Sequence, residues 1–162
     1  MHSAAQRRAL SPRLRIRRKG SHAPGIRNRS DGVGDDTICA LDQDLKPIPA
    51  WRVLDAELSP LDLAIAPNGN VVASSEHPFG APDAVTTVRE YDVGDGRLLR
   101  VLFAARKAEF RKPRGLRFGP DGRLYCVAQN EVVAFDFEAG ECLGAVVKLP
   151  RLNGQAVILI PQ

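Results

Sequence analysis

Residues 113–125 read Pro-Arg-Gly-Leu-Arg-Phe-Gly-Pro-Asp-Gly-Arg-Leu-Tyr, and residues 60–72 read Pro-Leu-Asp-Leu-Ala-Ile-Ala-Pro-Asn-Gly-Asn-Val-Val. Laid over one another, they agree at Pro60/Pro113, Leu63/Leu116, Ile65/Phe118, Pro67/Pro120, Asn68/Asp121 and Gly69/Gly122. Self-similarity of this kind marks a repeat architecture and has to be settled before any single element is assigned. Within the unit, Leu116 and Phe118 flank Arg117, the alternation of a strand with two different faces. Pro120-Asp121-Gly122 then reverses the chain: Pro presets φ, Asp bonds the local backbone, and Gly accepts a left-handed conformation.

The match extends downstream. Val88-Arg-Glu-Tyr-Asp92 aligns with Val132-Val-Ala-Phe-Asp136, and each reaches a glycine four residues later, Gly96 and Gly140. Leu124, Cys126 and Ala128 are expected to line one face of a second strand, with a third over 131–136 and a fourth over 141–148. Four antiparallel strands in about 35 residues, repeated, is the pattern of one propeller blade per repeat. An earlier partial copy begins at Ile38-Cys-Ala-Leu-Asp42 and continues through Trp51 to Leu54, and Ala156 to Pro161 resembles another first strand. The expected organisation is therefore all-β, a partial β-propeller of four-stranded antiparallel blades. It comprises a half blade at 37–55, blades at 60–103 and 113–148, and the first strand of a further blade at 154–162. The one helical candidate, 103–112, is short and stops at Pro113.

Residues 1–36 are different in kind. Nine of the 23 basic residues precede the first acid, Asp31, which leaves 14 basic against 19 acidic residues in the rest of the chain. The segment has almost no apolar periodicity and is expected to be a disordered, Arg-rich tail. The excess positive charge belongs to that tail, so it does not point to a nucleic-acid partner for the folded part. No run of 18 apolar residues is present, which excludes a membrane-spanning helix on length. An acid-free, Arg-rich opening would also suit an organellar transit peptide. Cys39, Cys126 and Cys142 are odd in number and lack C-x-x-C spacing, which fits small strand residues in a reducing compartment and a cytoplasmic location.

The unit at 113–125 resembles the NHL-type repeat, and is similar to the repeats of gluconolactonase-like propellers and of streptogramin lyases. The resemblance covers residues 60–147 and implies a six-bladed type of propeller. The matching residues are turn and core positions shared by binding proteins and enzymes. The gluconolactonase-like members imply a calcium or zinc site, for which Asn130, Glu131 and Asn153 are the available oxygen ligands. Turn chemistry accounts for the same three residues.

Strand parity separates the tight turns from the longer connectors 76–84, 104–112 and 149–153, which leave together at one end. Long loops gathered on one face are where binding groups are presented. Arg106, Lys107, Arg111, Lys112 and Arg114 could there engage a carboxylate, a phosphate or an acidic partner; a solvated connector accounts for the same run. Glu76 beside His77 could form an acid/base pair or contribute metal ligands, although neighbours on an extended chain point apart. The expected function is a non-catalytic propeller module binding a protein partner or a small anionic ligand. The alternative is the remnant of a metal-dependent lactonase or lyase, tested first at Glu76, His77 and Asn153, with calcium or zinc required only in that case. Two blades and fragments do not close a ring, so the chain is expected either to pair as a homodimer that completes a six-bladed ring or to be a truncated product of marginal stability, a fragment of a larger propeller.

Overall fold

A computed structural model of the chain describes residues 13–17, 37–151 and 153–157. Every regular element among them is a strand: β1 (Arg13–Arg17), β2 (Thr37–Leu41), β3 (Pro47–Arg52), β4 (Pro60–Ile65), β5 (Val71–His77), β6 (Val85–Tyr91), β7 (Leu98–Arg106), β8 (Pro113–Phe118), β9 (Leu124–Ala128), β10 (Glu131–Asp136) and β11 (Glu141–Lys148). They form three antiparallel meanders, ordered β1-β2-β3, β4-β5-β6-β7 and β8-β9-β10-β11, called here the first, second and third sheets. No helix among the described residues is long and apolar enough to cross a membrane.

The third and fourth strands of the 113–148 repeat have the bounds read from the sequence, and Leu124, Cys126 and Ala128 do face one core. Three expectations change. Arg13–Arg17, placed in a tail without elements, pairs with β2 from Arg13 opposite Leu41 to Arg17 opposite Thr37. Its Arg-Leu-Arg-Ile-Arg alternation has the two-residue period of a strand, and an open β2 edge supplies the hydrogen bonds that a lone strand lacks. The other residues of 1–36 lie outside the described set. The strand expected to end at Phe103 continues to Arg106, because β6 offers it backbone partners as far as Val85. At the far end, 153–157 is without regular structure, and the remainder of the expected strand at 154–162 lies outside the described residues.

Sequence repetition is matched by repetition of irregularity. In the second sheet Val88 is opposite Phe103 and Arg89 opposite Val101, leaving Leu102 as the extra residue of a bulge; a second bulge leaves Leu99 over. In the third sheet Val132 is opposite Val147 and Val133 opposite Ala145, leaving Val146, and a second bulge leaves Leu143. Bulges re-aim side chains and raise local twist. Two at corresponding places make the fourth strands structural counterparts residue by residue. The reversals are alike too: Asn68 and Asp121 each accept a backbone N–H from two residues on, and Gly122 takes φ +76°.

The sheets stack face on face, with the second in the middle. Its strand β5 is buried along almost its whole length, and the side chains of Val71 and Ala73 enter one core while Val72 enters the other. Toward the third sheet, Val72, Val88 and Leu102 meet Leu116, Leu124, Val133 and Phe135. Toward the first, Val71, Ala73 and Tyr91 meet Ile38, Ala40, Trp51 and Val53. Each large apolar side chain fully buried contributes roughly 1.5–3 kcal/mol, so these two cores hold the stack together. Trp51 also donates its indole N–H to the carbonyl of Val93, 2.6 Å away, tying the first sheet to the β6–β7 turn.

Candidate functional site

The leading strands β4 and β8 lie side by side where the second and third sheets meet, and residues 153–157 run beside β8. Two features set this spacing. The Asp62 carboxylate of β4 crosses to β8, accepting the Leu116 N–H at 2.8 Å through Oδ2 and the Leu63 N–H through Oδ1. Gly115 has φ +62°, and a Cβ there would stand 2.6 Å from Ala156 Cα, so only glycine admits the neighbouring segment. Between β4, β8 and 153–157 opens a cleft of about 290 Å³ with Leu61 and Ala156 on its apolar wall and Asp62, Arg114, Arg117 and Gln155 as its polar groups.

Two guanidinium groups and one carboxylate leave this cleft with an excess of positive charge. Arg117 Nη1 donates to the Leu116 carbonyl at 2.5 Å and lies 3.5 Å from Asp62 Oδ2. Arg114 Nη1 donates to Gln155 Oε1. Arg114 Nε is shut away from solvent and meets no acceptor among the described residues. A buried donor left unmade costs about 1–3 kcal/mol, and more when charged.

The five cations read from the sequence do not act as a group. Arg106, Arg111 and Lys112 are exposed. Lys107 Nζ is 2.7 Å from buried Glu76 and 3.1 Å from the Ala81 carbonyl, joining the loops that follow β5 and β7. Only Arg114 reaches the cleft. Glu76 and His77 diverge as strand alternation requires: Glu76 holds Lys107 and the Gly80 N–H, while His77 Nδ1 is 3.1 Å from Ser59 Oγ. Asn130 and Asn153 are brought together, but by a backbone tie in which the Asn153 N–H donates to Asn130 Oδ1; Glu131 pairs across the sheet with Lys148. No group of three or more His, Cys, Asp or Glu side chains among the described residues is gathered as if to hold a metal.

No protein-family model matches the chain, and no curated protein matches it either. The fold and the site therefore rest on their own geometry.

Asp62, Arg117 and Ser59 had not been singled out from the sequence. A signal for the cleft was there, in the places where the copies disagree: Leu61 aligns with Arg114 and Ala64 with Arg117. A cation replacing an apolar residue at a repeat position is not needed for the repeat itself. Cys126, close to the cleft with its thiol 3.6 Å from the Arg114 carbonyl, is inert: burial, with the Asp62 charge adding to it, pushes its ionisation far above the usual thiol range.

A second polar cluster lies between the first and second sheets. Arg89 Nη1 meets Asp55 Oδ2 at 2.7 Å, Tyr91 donates to the same oxygen at 2.8 Å, and Arg89 Nε donates to Thr87 Oγ1. Burial pushes the Asp55 carboxyl up, but hydrogen bonds from Tyr91 and Arg89 and the Arg89 charge outweigh it and hold the group below its ordinary value. Burial and the adjacent Asp55 carboxylate keep Tyr91 protonated. Every member has a partner, so the cluster ties the 53–58 connector to β6 and offers no vacant group to a ligand.

Proposed function

We propose that the chain is a non-catalytic binding module: consecutive blades of an open propeller of the NHL-like kind that its repeat resembles, with a small carboxylate-bearing ligand in the cleft beside Arg114. The propeller reading is supported by the four-stranded meanders stacked face on face, their corresponding bulges, and the adjacency of leading strands β4 and β8. The non-catalytic reading is supported by the separate commitments of Glu76 to Lys107 and of His77 to Ser59. The ligand reading is carried by one observation, the guanidinium groups of Arg114 and Arg117 lining one cleft that holds a single carboxylate, Asp62.

Sodium acetate serves as the probe, titrated at constant ionic strength while the arginine Nε–H signals are followed by NMR. Saturable shifts of the Arg114 and Arg117 signals are expected. Arg114→Leu is expected to weaken binding roughly tenfold to a hundredfold, the value of a charge-assisted hydrogen bond. A linear response without saturation, or unchanged affinity in Arg114→Leu, refutes the ligand reading.

A further inference from the structure

The two repeats part company at neighbouring positions of β8, and both departures face the same stretch of chain. Leu61 of β4 corresponds to Arg114, and Asp62 to Gly115. Gly115 leaves room for the backbone at Ala156, which a Cβ would meet at 2.6 Å, and Arg114 Nη1 donates to Gln155 Oε1. Gln155 is oriented for this contact by its own segment: Nε2 donates to the Asn153 carbonyl at 3.3 Å, which turns Oε1 toward the guanidinium. The segment is tied down just upstream, where the Gly154 N–H donates to the Gln129 carbonyl at 2.8 Å and the Asn153 N–H to Asn130 Oδ1 at 3.4 Å. Because those ties are made by the backbone of 153 and 154, the Gln155 side chain can leave Arg114 without releasing the segment. Gln155 is exposed, so water takes over its hydrogen bonds when it does.

We propose that Gln155 is a displaceable internal ligand of Arg114 that sets the cleft's preference for anions over neutral molecules, an assignment that rests on the carboxylate reading of the cleft. An amide oxygen and a carboxylate oxygen offer Nη1 the same kind of acceptor, but a hydrogen bond ionised at both ends is the stronger. Asp62 offsets one of the two guanidinium charges of the cleft, and the neutral Gln155 leaves the other uncompensated. A carboxylate therefore gains by replacing Gln155. A free amide offers Arg114 nothing that the tethered one lacks, and the tether gives Gln155 the higher effective concentration. The observed affinity for a carboxylate is reduced in proportion to the share of chains in which Gln155 holds Arg114.

Titration of the full chain with sodium acetate and with its neutral isostere acetamide, at constant ionic strength, tests it, with the Arg114 Nε–H and the Gln155 side-chain amide signals followed by NMR. In the parent, acetate is expected to shift both sets of signals saturably and with one affinity, and acetamide to shift neither. Gln155→Ala removes the competitor and is expected to tighten acetate binding roughly threefold to tenfold, the value of the hydrogen bond that no longer has to be broken. Gln155→Glu sets a carboxylate on Arg114 and is expected to weaken acetate binding roughly tenfold or more. Damage to the segment would move both variants in the same direction, so opposite signs separate competition from a structural role. Saturable acetate binding in the parent that Gln155→Ala leaves unchanged or weakens overturns the proposal and leaves the carboxylate reading standing. Acetamide that binds the parent as tightly as acetate overturns it too. Acetate that saturates neither the parent nor Gln155→Ala removes the carboxylate reading, and the role of Gln155 with it.

Discussion

The second sheet meets its two neighbours by different chemistry. Toward the third sheet it presents Val72, Val88, Leu102 and Phe103, and three aromatic rings interlock edge to face, with Phe103 5.1 Å from Phe110 and 5.5 Å from Phe135. Toward the first sheet, Val71, Ala73 and Tyr91 are apolar in contact, yet Arg89 runs between them to Asp55 and Thr87. One strand supplies both patterns: along β6, Val88 turns one way and Arg89 and Tyr91 the other. The lesson is that burial on both faces does not demand an apolar strand. It demands that each polar group be paired, since an unpaired one costs more than the pair returns. Apolar contact is non-directional and drives the stacking, whereas the Asp55–Arg89–Tyr91 cluster is directional and holds the 53–58 connector in one arrangement.

The sharpest way to break this comparison is at the aromatic interface. Phe135→Ala removes the ring shared by Phe103 and Phe110 and is expected to cost about 3–5 kcal/mol, read as a lower denaturation midpoint in urea; a loss under about 1 kcal/mol would mean that the rings contribute little. Next comes the polar interface. Arg89→Met strands the Asp55 carboxylate and is expected to cost about 3 kcal/mol, with most of it regained when Asp55→Leu and Tyr91→Phe are added, because a buried cluster replaced by apolar groups is close to neutral and the Tyr91 hydroxyl, which donates to Asp55, is not left unpaired. If the triple variant is no more stable than Arg89→Met, the cluster is a source of net stability and the contrast drawn above fails.

Acid supplies the smallest and most selective perturbation. The folded-state ionisation of Asp55 lies below its unfolded value, so its contribution is complete above the ordinary carboxylate range, near pH 4, and is lost as pH falls through the folded value. Glu90 behaves the same way: burial raises it, and Asn70, Arg100 and Asn68 together more than offset that. Stability is therefore expected to fall as pH drops below about 4, and Asp55→Asn should flatten part of that slope and leave the Glu90 part. A slope unchanged in Asp55→Asn would show that the first interface does not depend on this carboxylate.

Much of the strand plan was legible because it is local. Pro-(Asn/Asp)-Gly reversals and alternating apolar residues announce themselves within a few positions, so the bounds of β10 and β11 and the inward face of β9 follow from 113–148 alone. Arg13–Arg17 was not legible as an element: its alternation is short, and what makes it a strand is the hydrogen-bonding edge of β2, 20 or more residues away in the chain. Of the five cations in 106–114 the structure brings one, Arg114, to the cleft, whose other polar groups, Asp62, Arg117 and Gln155, lie outside that run. Charge density in 106–114 marked the region, but Lys107 is drawn to Glu76 across two loops and the exposed cations face water, and nothing in their spacing tells these fates from that of Arg114.

By itself the sequence determined the all-β character, the repeat and its turns, since backbone preferences and two-residue periodicity act over short distances. Tertiary structure alone decided which face of each sheet is covered, which cation of 106–114 reaches the cleft, and that Asp62, Arg114 and Arg117 share it. Those outcomes depend on distances between strands some 50 residues apart, and side-chain pairing across such a gap is set by how the sheets stack and not by any local preference.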